Sequence, residues 1–472
     1  MSAPPASEIP GTRPGETLRR SWAYHFLGIG GVGMSALAEW MHRTGYRVTG
    51  SDREDSRTLQ RLAGLGIDVR AGHETAHLSG ADAIVYTSAI PPDHPMRLAA
   101  QRLALPSLHR AEVLAALTAP HRLLAVAGTH GKTTATACLA HVWAACGLDP
   151  TALVGGAVLD WEGGNLRLGE SHWAIAEADE SDGSFLRLRP EAVLLTNAEP
   201  DHLDYHGNAE QLERAFAAFL ANIPPEGVLV FCADDPGATR LAGGVRCRSL
   251  SYGSGAGVEV RVRVEEMRPG RMRATLEHEG QRWEFVTPLG GAHNALNLTG
   301  VYALGLAHGL PAPDLCRALE TFRGVARRQE PLGDGFGFAI FDDYAHHPTE
   351  IRATLDMFHR VYGPPVTVVF QPHLYSRTAH FADAFAEALR PAARIYVTEV
   401  YAAREEPMEG ISGKMIVDRL ADHPAATFIE DWRDFPDVVG RAGESGGVLI
   451  TMGAGDITGL GPLLIRDQRS RT

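Results

Sequence analysis

Ala127-Gly128-Thr129-His130-Gly131-Lys132-Thr133-Thr134 sets the reading of this chain. The apolar run Leu123-Leu124-Ala125-Val126 before it reads as a strand. Cys138, Leu139, Val142, Trp143 and Cys146 recur behind it at helical spacing and stop at Gly147. Strand, glycine turn and helix N-terminus together form an anion site, because free backbone N–H groups converge there. Of the 44 basic residues only Lys132 and Lys414 are lysines, so a lysine kept in this turn has a specific task. Its ammonium, on a flexible stem, reaches transferable phosphates while the turn cradles the others, and the Thr133 hydroxyl can ligate Mg²⁺. Val126 stands where the longer G-x-x-x-x-G-K-[ST] loop has its first glycine, leaving the shorter Gly128-x-x-Gly131-Lys132-Thr133. The stretch implies a protein that handles a nucleoside triphosphate.

The remaining composition narrows the class. The chain has 472 residues, enough for two to four domains, and is 44% hydrophobic and 21% charged, as expected of a globular protein with real cores. No run of eighteen apolar residues suggests membrane insertion. A net charge of −13 argues against nucleic acid as the main partner. Cys138, Cys146, Cys232, Cys247 and Cys316 are odd in number and form no C-x-x-C pair, which points to a reducing compartment without structural zinc or a disulfide framework. The Pro/Ser/Gly-rich start reads as a loose tail and not as a signal peptide.

Alternating strand and helix signals predict an α/β chain of three domains. A tail over 1–21 precedes a first block, 22–119, with strands at Tyr24–Leu27, Tyr46–Thr49 and Ala83–Tyr86 and a helix over Met34–His42. The second block, 120–325, starts at the phosphate turn and has strands at His172–Ala176, Ala192–Thr196 and Val228–Phe231. Its later alternation, Val258, Val260, Val262 and Val264 against charged residues, makes its sheet mixed, with a hairpin around Glu279-Gly280. The third block, 326–472, returns to strand–helix alternation, with strands at Phe338–Phe341, Val366–Phe370, Arg394–Val397 and Gly447–Thr451.

Several motifs sit at expected strand ends. Gly28-Ile29-Gly30-Gly31-Val32-Gly33 follows the first strand and contains G-x-G-x-x-G, with Asp52 about twenty residues on, the fingerprint of a diphosphate-binding turn. NAD and a UDP-sugar both offer such a diphosphate. Glu177-Ala178-Asp179-Glu180-Ser181-Asp182 and Asn197-Ala198-Glu199-Pro200-Asp201-His202-Leu203-Asp204 follow two strands of the triphosphate block, where a divalent cation must be held. His293-Asn294-Ala295-Leu296-Asn297 opens a helix whose amides either read a nucleotide or cap the helix. Arg327-Arg328 lies at a block junction and suggests a phosphate clamp. Asp342-Asp343-Tyr344-Ala345-His346-His347-Pro348 and Gln371-Pro372-His373-Leu374-Tyr375-Ser376-Arg377 fit recognition of a small zwitterionic or anionic ligand.

Taken in order, these motifs resemble the ATP-dependent muramyl ligases, over most of the chain from Gly28 to about Ile457. The resemblance implies a Rossmann-like N-terminal domain for the UDP-sugar, a P-loop-type central ATPase domain and a Rossmann-like C-terminal domain that admits the amino acid. The implied activity is amide formation between L-alanine and UDP-N-acetylmuramate, driven by ATP with Mg²⁺, in the bacterial cytoplasm. It implies a catalytic set of Lys132, Glu177, His202 and His347, with Thr133, Glu177 and His202 on the metal. ATP contacts fall on Gly128, Thr129, His130, Gly131, Lys132, Thr133, Thr134, His293, Asn294, Asn297, Arg327 and Asp342. The UDP-sugar falls to Gly30, Gly31, Gly33, Ser51, Asp52, Ser88 and Arg110, and the amino acid to Tyr344, His346 and Arg377. Leu374 stands where some members carry arginine, which leaves Arg377 as the carboxylate contact. Several relatives bridge metals with a carbamylated lysine; Lys414 is far from the metal motifs in sequence, as in the alanine-adding branch. A peptide-recycling ligase of the same family and an NAD-dependent oxidoreductase are the competing readings.

Overall fold

The computed structural model describes residues 18–161, 164–403, 405–442 and 446–471, so most of the expected tail lies outside the described residues, as does the side chain of Asp204. Two compact units divide the chain: residues up to Arg261 with Glu277–Gln281 and Leu296–Ala318, and Val262–Leu276 with Arg282–Ala295 and Leu319 onward. No helix among the described residues is long and apolar enough to cross a membrane.

The first unit holds two sheets. Strands β1 (Ala23–Leu27), β2 (Arg47–Asp52), β3 (Asp68–Ala71), β4 (Ala83–Tyr86) and β5 (Ser107–His109) pair in parallel in the order β3-β2-β1-β4-β5. β1 is fully buried, and the order reverses beside it, where open α/β sheets leave a crevice at the strands' carboxyl ends. The turn Gly28–Gly31 occupies that point and leads into helix Val32–Arg43. Gly28 takes φ +75°, a conformation that a side chain resists.

The second sheet of this unit adds β6 (Arg122–Ala127), β7 (Thr151–Leu153), β8 (Leu166–Arg167), β9 (Trp173–Ala178), β10 (Ala192–Leu195), β11 (Val228–Cys232) and β12 (Arg248–Gly253). Their order is β12-β11-β10-β6-β9-β7-β8, and only β8 runs antiparallel to its neighbour. β6 therefore has β10 on one side and β9 on the other, so three strand ends converge on the phosphate turn. Leu123 to Ala127 and Ala192 to Leu195 are buried as continuous apolar runs, as parallel strands covered on both faces require. Truncating one of their leucines to alanine costs about 2–5 kcal/mol. β9 runs two residues further than expected: Val126↔Glu177 and Ala127↔Ala178 are paired, which puts Glu177 inside the strand and not after it.

β13 (Val260–Arg268), β14 (Arg271–His278) and β15 (Gln281–Thr287) follow as consecutive neighbours, and Glu279 and Gly280 both take positive φ in the turn between the last two. Helix Ala292–Ala307 comes next. The second unit's large sheet contains β16 (Glu330–Gly335), β17 (Phe338–Asp343), β18 (Val366–Phe370), β19 (Arg394–Val397), β20 (Ala426–Phe428) and β21 (Val448–Met452), ordered β16-β17-β21-β18-β19-β20. All pairs are parallel except β16 with β17, an edge hairpin that the polar, glycine-rich sequence Glu330–Gly335 does not announce.

Candidate active site

Lys132 opens helix Lys132–Ala145, and Gly131 precedes it in the left-handed region with φ +82° and offers no side chain to cap this end. The uncapped N–H groups give the turn its anion-binding character. Residues at the end of β10 brace it. Asn197 accepts from the His130 N–H at 2.8 Å and donates to the His130 carbonyl at 3.0 Å, and Thr196 donates to the same carbonyl. Thr129 exchanges hydrogen bonds with the Glu199 backbone at 2.8 and 3.0 Å, so its hydroxyl shapes the turn. A Cβ on Gly128 would lie 2.1 Å from Thr196 Oγ1, and one on Gly131 2.6 Å from Asn297 Oδ1, which places Asn297 directly against the turn.

Lys132 Nζ donates to the Gly128 and Thr129 carbonyls at 2.6 and 3.1 Å and to Glu180 Oε1 at 2.9 Å. Burial works against its charge, but Glu180 and Asp179 prevail and raise its pKa. Glu180 is fully buried; that burial outweighs the pull of Lys132 and pushes its carboxyl up to about 7. Among the described residues its Oε2 has no hydrogen-bond partner. Glu177 accepts from the Gly155 N–H at 2.5 Å and from Thr133 Oγ1 at 3.3 Å. Burial raises its pKa against the Gly155 N–H and Lys132. His202 lies nearby, with Nε2 4.0 Å from Glu180 Oε1 and 3.6 Å from Asp201 Oδ2. A carboxylate and a hydroxyl 3.3 Å apart at the foot of a lysine turn, in a motif where Glu180 keeps an oxygen unpartnered among the described residues, suit a hard divalent cation. Thr134 is buried behind them.

At the other glycine turn the Gly28 and Ile29 N–H groups bond the Ser51 carbonyl, and Gly30 N–H donates to Asp52 Oδ2 at 2.7 Å. Asp52 Oδ1 accepts from its neighbour Arg53, so this carboxylate shapes the turn. Ser51 is fully buried beneath it. Gly33 faces Arg110, whose Nη1 would be 3.7 Å from a Cβ there. Arg110 pairs with Asp179 and Asp182 at 2.9 and 3.4 Å, and Ser88 donates to Asp182.

In the second unit Arg327 takes φ +61° and is tied on both sides. Nε bonds Asp342 Oδ2 at 3.2 Å, and Nη2 bonds the Gly453 carbonyl at 2.6 Å. Asp342 is buried and also accepts from Thr451 and Thr458 at 2.6 Å each, so it orients Arg327. Both Arg327 and Arg328 lay their guanidinium groups over the Tyr344 ring, at 4.9 and 4.7 Å. His346 Nδ1 is 3.0 Å from the Tyr344 carbonyl and 3.3 Å from Glu350. His347 caps helix Pro348–Tyr362 by accepting from Thr349 N. Arg377 is buried, with Nη1 3.4 Å from His373 Nδ1, and Leu374 precedes its helix with φ +71°. Partial burial lowers the pKa of His293 to about 4, and its Nε2 lies 2.9 Å from Gln329 Nε2; Asn294 donates to Gly290 O and to Gln329.

Three family models match in tandem: the Mur ligase family catalytic domain over residues 23–122, the Mur ligase middle domain over 126–305, and the Mur ligase glutamate ligase domain over 327–455. The chain belongs to the Mur ligase family. Among its relatives, a UDP-N-acetylmuramate–L-alanine ligase of Rubrobacter xylanophilus is 43% identical across 93% of this chain and 99% of its own length. One of Desulforamulus reducens is 39% identical across 94% and 97%. The solved UDP-N-acetylmuramate-alanine ligase MurC of Thermotoga maritima superposes with a TM-score of 0.82 at 30% identity, covering 96% of this chain and all of that one. A murein peptide ligase of Psychrobacter arcticus shares the fold, with a TM-score of 0.72 at 23% identity, over 94% and 98%.

Several residues that the fold of this Mur ligase puts to work carry no distinct role in its sequence. Glu180 and Asn197 stood inside the quoted motifs without a role of their own; a lysine with an acidic cluster downstream was the signal for the first. His373 stacks on Tyr401, with centroids 5.8 Å apart, and touches Arg377, a position visible only once β18 is placed.

Proposed function

We propose that this Mur ligase joins L-alanine to the lactyl carboxylate of UDP-N-acetylmuramate, with ATP as the energy source, in the synthesis of peptidoglycan precursors. The observation that carries this reading is the Rubrobacter xylanophilus relative, aligned with 93% of this chain and 99% of its own length and named for that reaction. A lactyl carboxylate oxygen attacks the γ-phosphorus, the bond to ADP breaks, and an acyl phosphate forms. The alanine nitrogen then attacks the acyl carbon, loses a proton, and the bond to phosphate breaks. The chain's contribution is positioning and charge neutralisation.

In this reading residues 22–119 hold the UDP-sugar through Gly30, Gly31, Gly33, Ser88 and Arg110, with Ser51 and Asp52 shaping the turn. Residues 120–325 hold ATP on Gly128–Thr134 and Asn297, with His293, Asn294, Arg327 and Asp342 completing the nucleotide contacts. Lys132 neutralises the β- and γ-phosphates. Mg²⁺, when bound, offsets phosphate charge and orients the acyl phosphate; Thr133, Glu177 and His202 are the residues that would hold it. Residues 326–472 admit L-alanine between Tyr344, His346 and Arg377, and His347 joins the catalytic set. The same reading makes it an enzyme of the bacterial cytoplasm.

The test is phosphate release from ATP with UDP-N-acetylmuramate and a panel of acceptors. L-alanine should be the preferred acceptor. Preference for a tripeptide would establish a recycling ligase instead, and a nicotinamide absorbance change without phosphate release would establish an oxidoreductase.

A further inference from the structure

Beneath the first glycine turn, Ser51 is flanked by two histidines to which the reaction assigns no role. His25 on β1 is buried; its Nδ1 is 2.8 Å from Thr49 Oγ1 and its Nε2 is 3.1 Å from Ser51 Oγ. Ser51 Oγ is in turn 3.2 Å from His73 Nδ1. Burial, reinforced by His77 and His73, lowers the His25 pKa to about 4, so the ring is neutral at working pH and carries one N–H. The Ser51 hydroxyl has a single proton, so it can donate to at most one of the two imidazoles and must accept from the other. Whether Ser51 donates to His73 Nδ1 or accepts from it sets the tautomer of His73. If His25 donates from Nε2 to Ser51 and Ser51 donates to His73 Nδ1, the His73 proton sits on Nε2.

His73 is placed to use that proton. It follows β3, and the N–H of its neighbour Gly72 bonds the Asp52 carbonyl at 2.7 Å. The Asp52 carboxylate holds the Gly30 N–H, also at 2.7 Å, so one residue ties the His73 loop to the glycine turn. The imidazole is half-buried, edge-on to His94 with centroids 5.0 Å apart, and among the described residues no group bonds its Nε2. A UDP group offers acceptor oxygens in its diphosphate and uracil, and only the Nε2–H tautomer complements them.

We propose that His73 is a further UDP-sugar contact, donating from Nε2 to an acceptor oxygen of the UDP group, and that buried His25 and Ser51 are positioning residues that fix its tautomer. This rests on the reading that the UDP-sugar lies on the Gly28–Gly33 turn.

Calorimetric titration of UDP-N-acetylmuramate into the full chain, with kcat and KM for all three substrates, tests it. His73→Ala should raise the Kd about tenfold, the worth of one hydrogen bond to a charged or strongly polar acceptor, and leave kcat at saturation unchanged. Ser51→Ala should weaken binding less, and the Ser51→Ala/His73→Ala pair should bind no worse than His73→Ala alone, because Ser51 acts through His73. His25→Leu should weaken binding, and His25→Gln, whose amide can still donate to Ser51, should recover it. Thermal melts accompany each variant. His73 is on a loop and half-buried, so His73→Ala decides the matter even where a core variant fails to fold. Gly30→Ala, whose Cβ would meet Asp52 Oδ2 at 2.8 Å, is the control for the turn. Wild-type affinity in His73→Ala while Gly30→Ala loses binding overturns the proposal alone, as does full additivity in the double variant. Wild-type affinity in Gly30→Ala overturns the reading of the turn and the proposal with it.

Discussion

Arg110 Nη2 lies 2.9 Å from Asp179 Oδ2 and 3.4 Å from Asp182 Oδ2, linking the helix after β5 to the acidic loop after β9. Burial would push the Asp179 carboxyl up, but the Arg110 and Lys132 charges hold it well below the usual carboxylate range. One carboxylate thus answers to Arg110 on one side and to Lys132 on the other. The same arginine approaches Gly33 of the other turn.

Arg110→Ala should therefore act on two quantities. Removing one partner of a buried pair costs about 3–5 kcal/mol, but about a third of the Asp179 side chain is in solvent, so a loss of about 1–3 kcal/mol is expected. Denaturant titration measures it. KM for UDP-N-acetylmuramate should rise in parallel. A stability loss with an unchanged KM would make Arg110 a purely structural link.

Glu180 gives a pH dependence whose sign follows from its shift. Its folded pKa, about 7, exceeds the ordinary 4.5, so the folded state holds the proton more tightly than the unfolded chain does. The stabilising contribution is complete below about pH 4.5 and is lost as pH rises through about 7, a change on the order of 3 kcal/mol. Glu180→Gln removes that titration. Its stability relative to wild type should improve between pH 5 and pH 8, while turnover falls above about pH 7, where Lys132 loses a charged partner. A stability difference that stays constant over that range would show that Glu180 remains ionised throughout.

Gly131 and Asn297 form a steric pair. Gly131→Ala should cost about 1–2 kcal/mol for the left-handed backbone and more for the clash of its Cβ, 2.6 Å from Asn297 Oδ1. Adding Asn297→Ala removes the clash but not the backbone term. The double variant should therefore be more stable than Gly131→Ala alone in thermal melts, yet remain poor in ATP turnover. A double variant that is the sum of its singles would mean that the turn relaxes without touching residue 297.

Much of this architecture was legible because its signals are local. The strands Ala83–Tyr86, Val366–Phe370 and Arg394–Val397 match their expected bounds, each being a short apolar run between turn residues. The Glu279-Gly280 hairpin was legible for a similar reason, since Gly280 invites positive φ. β16 was not: Pro331, Gly333 and Gly335 lack strand propensity, and pairing with β17 supplies the order that the local sequence does not. The acidic motif was visible as a block, but not the division of labour within it. Whether a carboxylate meets Thr133, Lys132 or Arg110 depends on where β9 ends beside β6, which is a matter of register and not of spacing. Nor does spacing show that each Asp52 oxygen accepts from a backbone N–H.

Arg377 carries the prediction about the acceptor. It is buried on helix Tyr375–Leu389, beside His373, which is stacked on Tyr401. A planar guanidinium held this way can present two parallel N–H groups to the carboxylate of L-alanine. Arg377→Ala would leave that carboxylate unpaired in a partly dry cleft, at a cost of about 2–5 kcal/mol. The contact exists before and during attack on the acyl phosphate, so the loss belongs to binding and should appear as a raised KM for L-alanine with little change in kcat. Arg377→Lys keeps the charge but not the fork, and should recover only part of the affinity. KM for ATP and for UDP-N-acetylmuramate should stay near wild type in both variants. Steady-state kinetics with each substrate varied in turn provides the check. A weakened UDP-sugar with an unchanged alanine KM would move the amino acid away from residues 326–472 altogether.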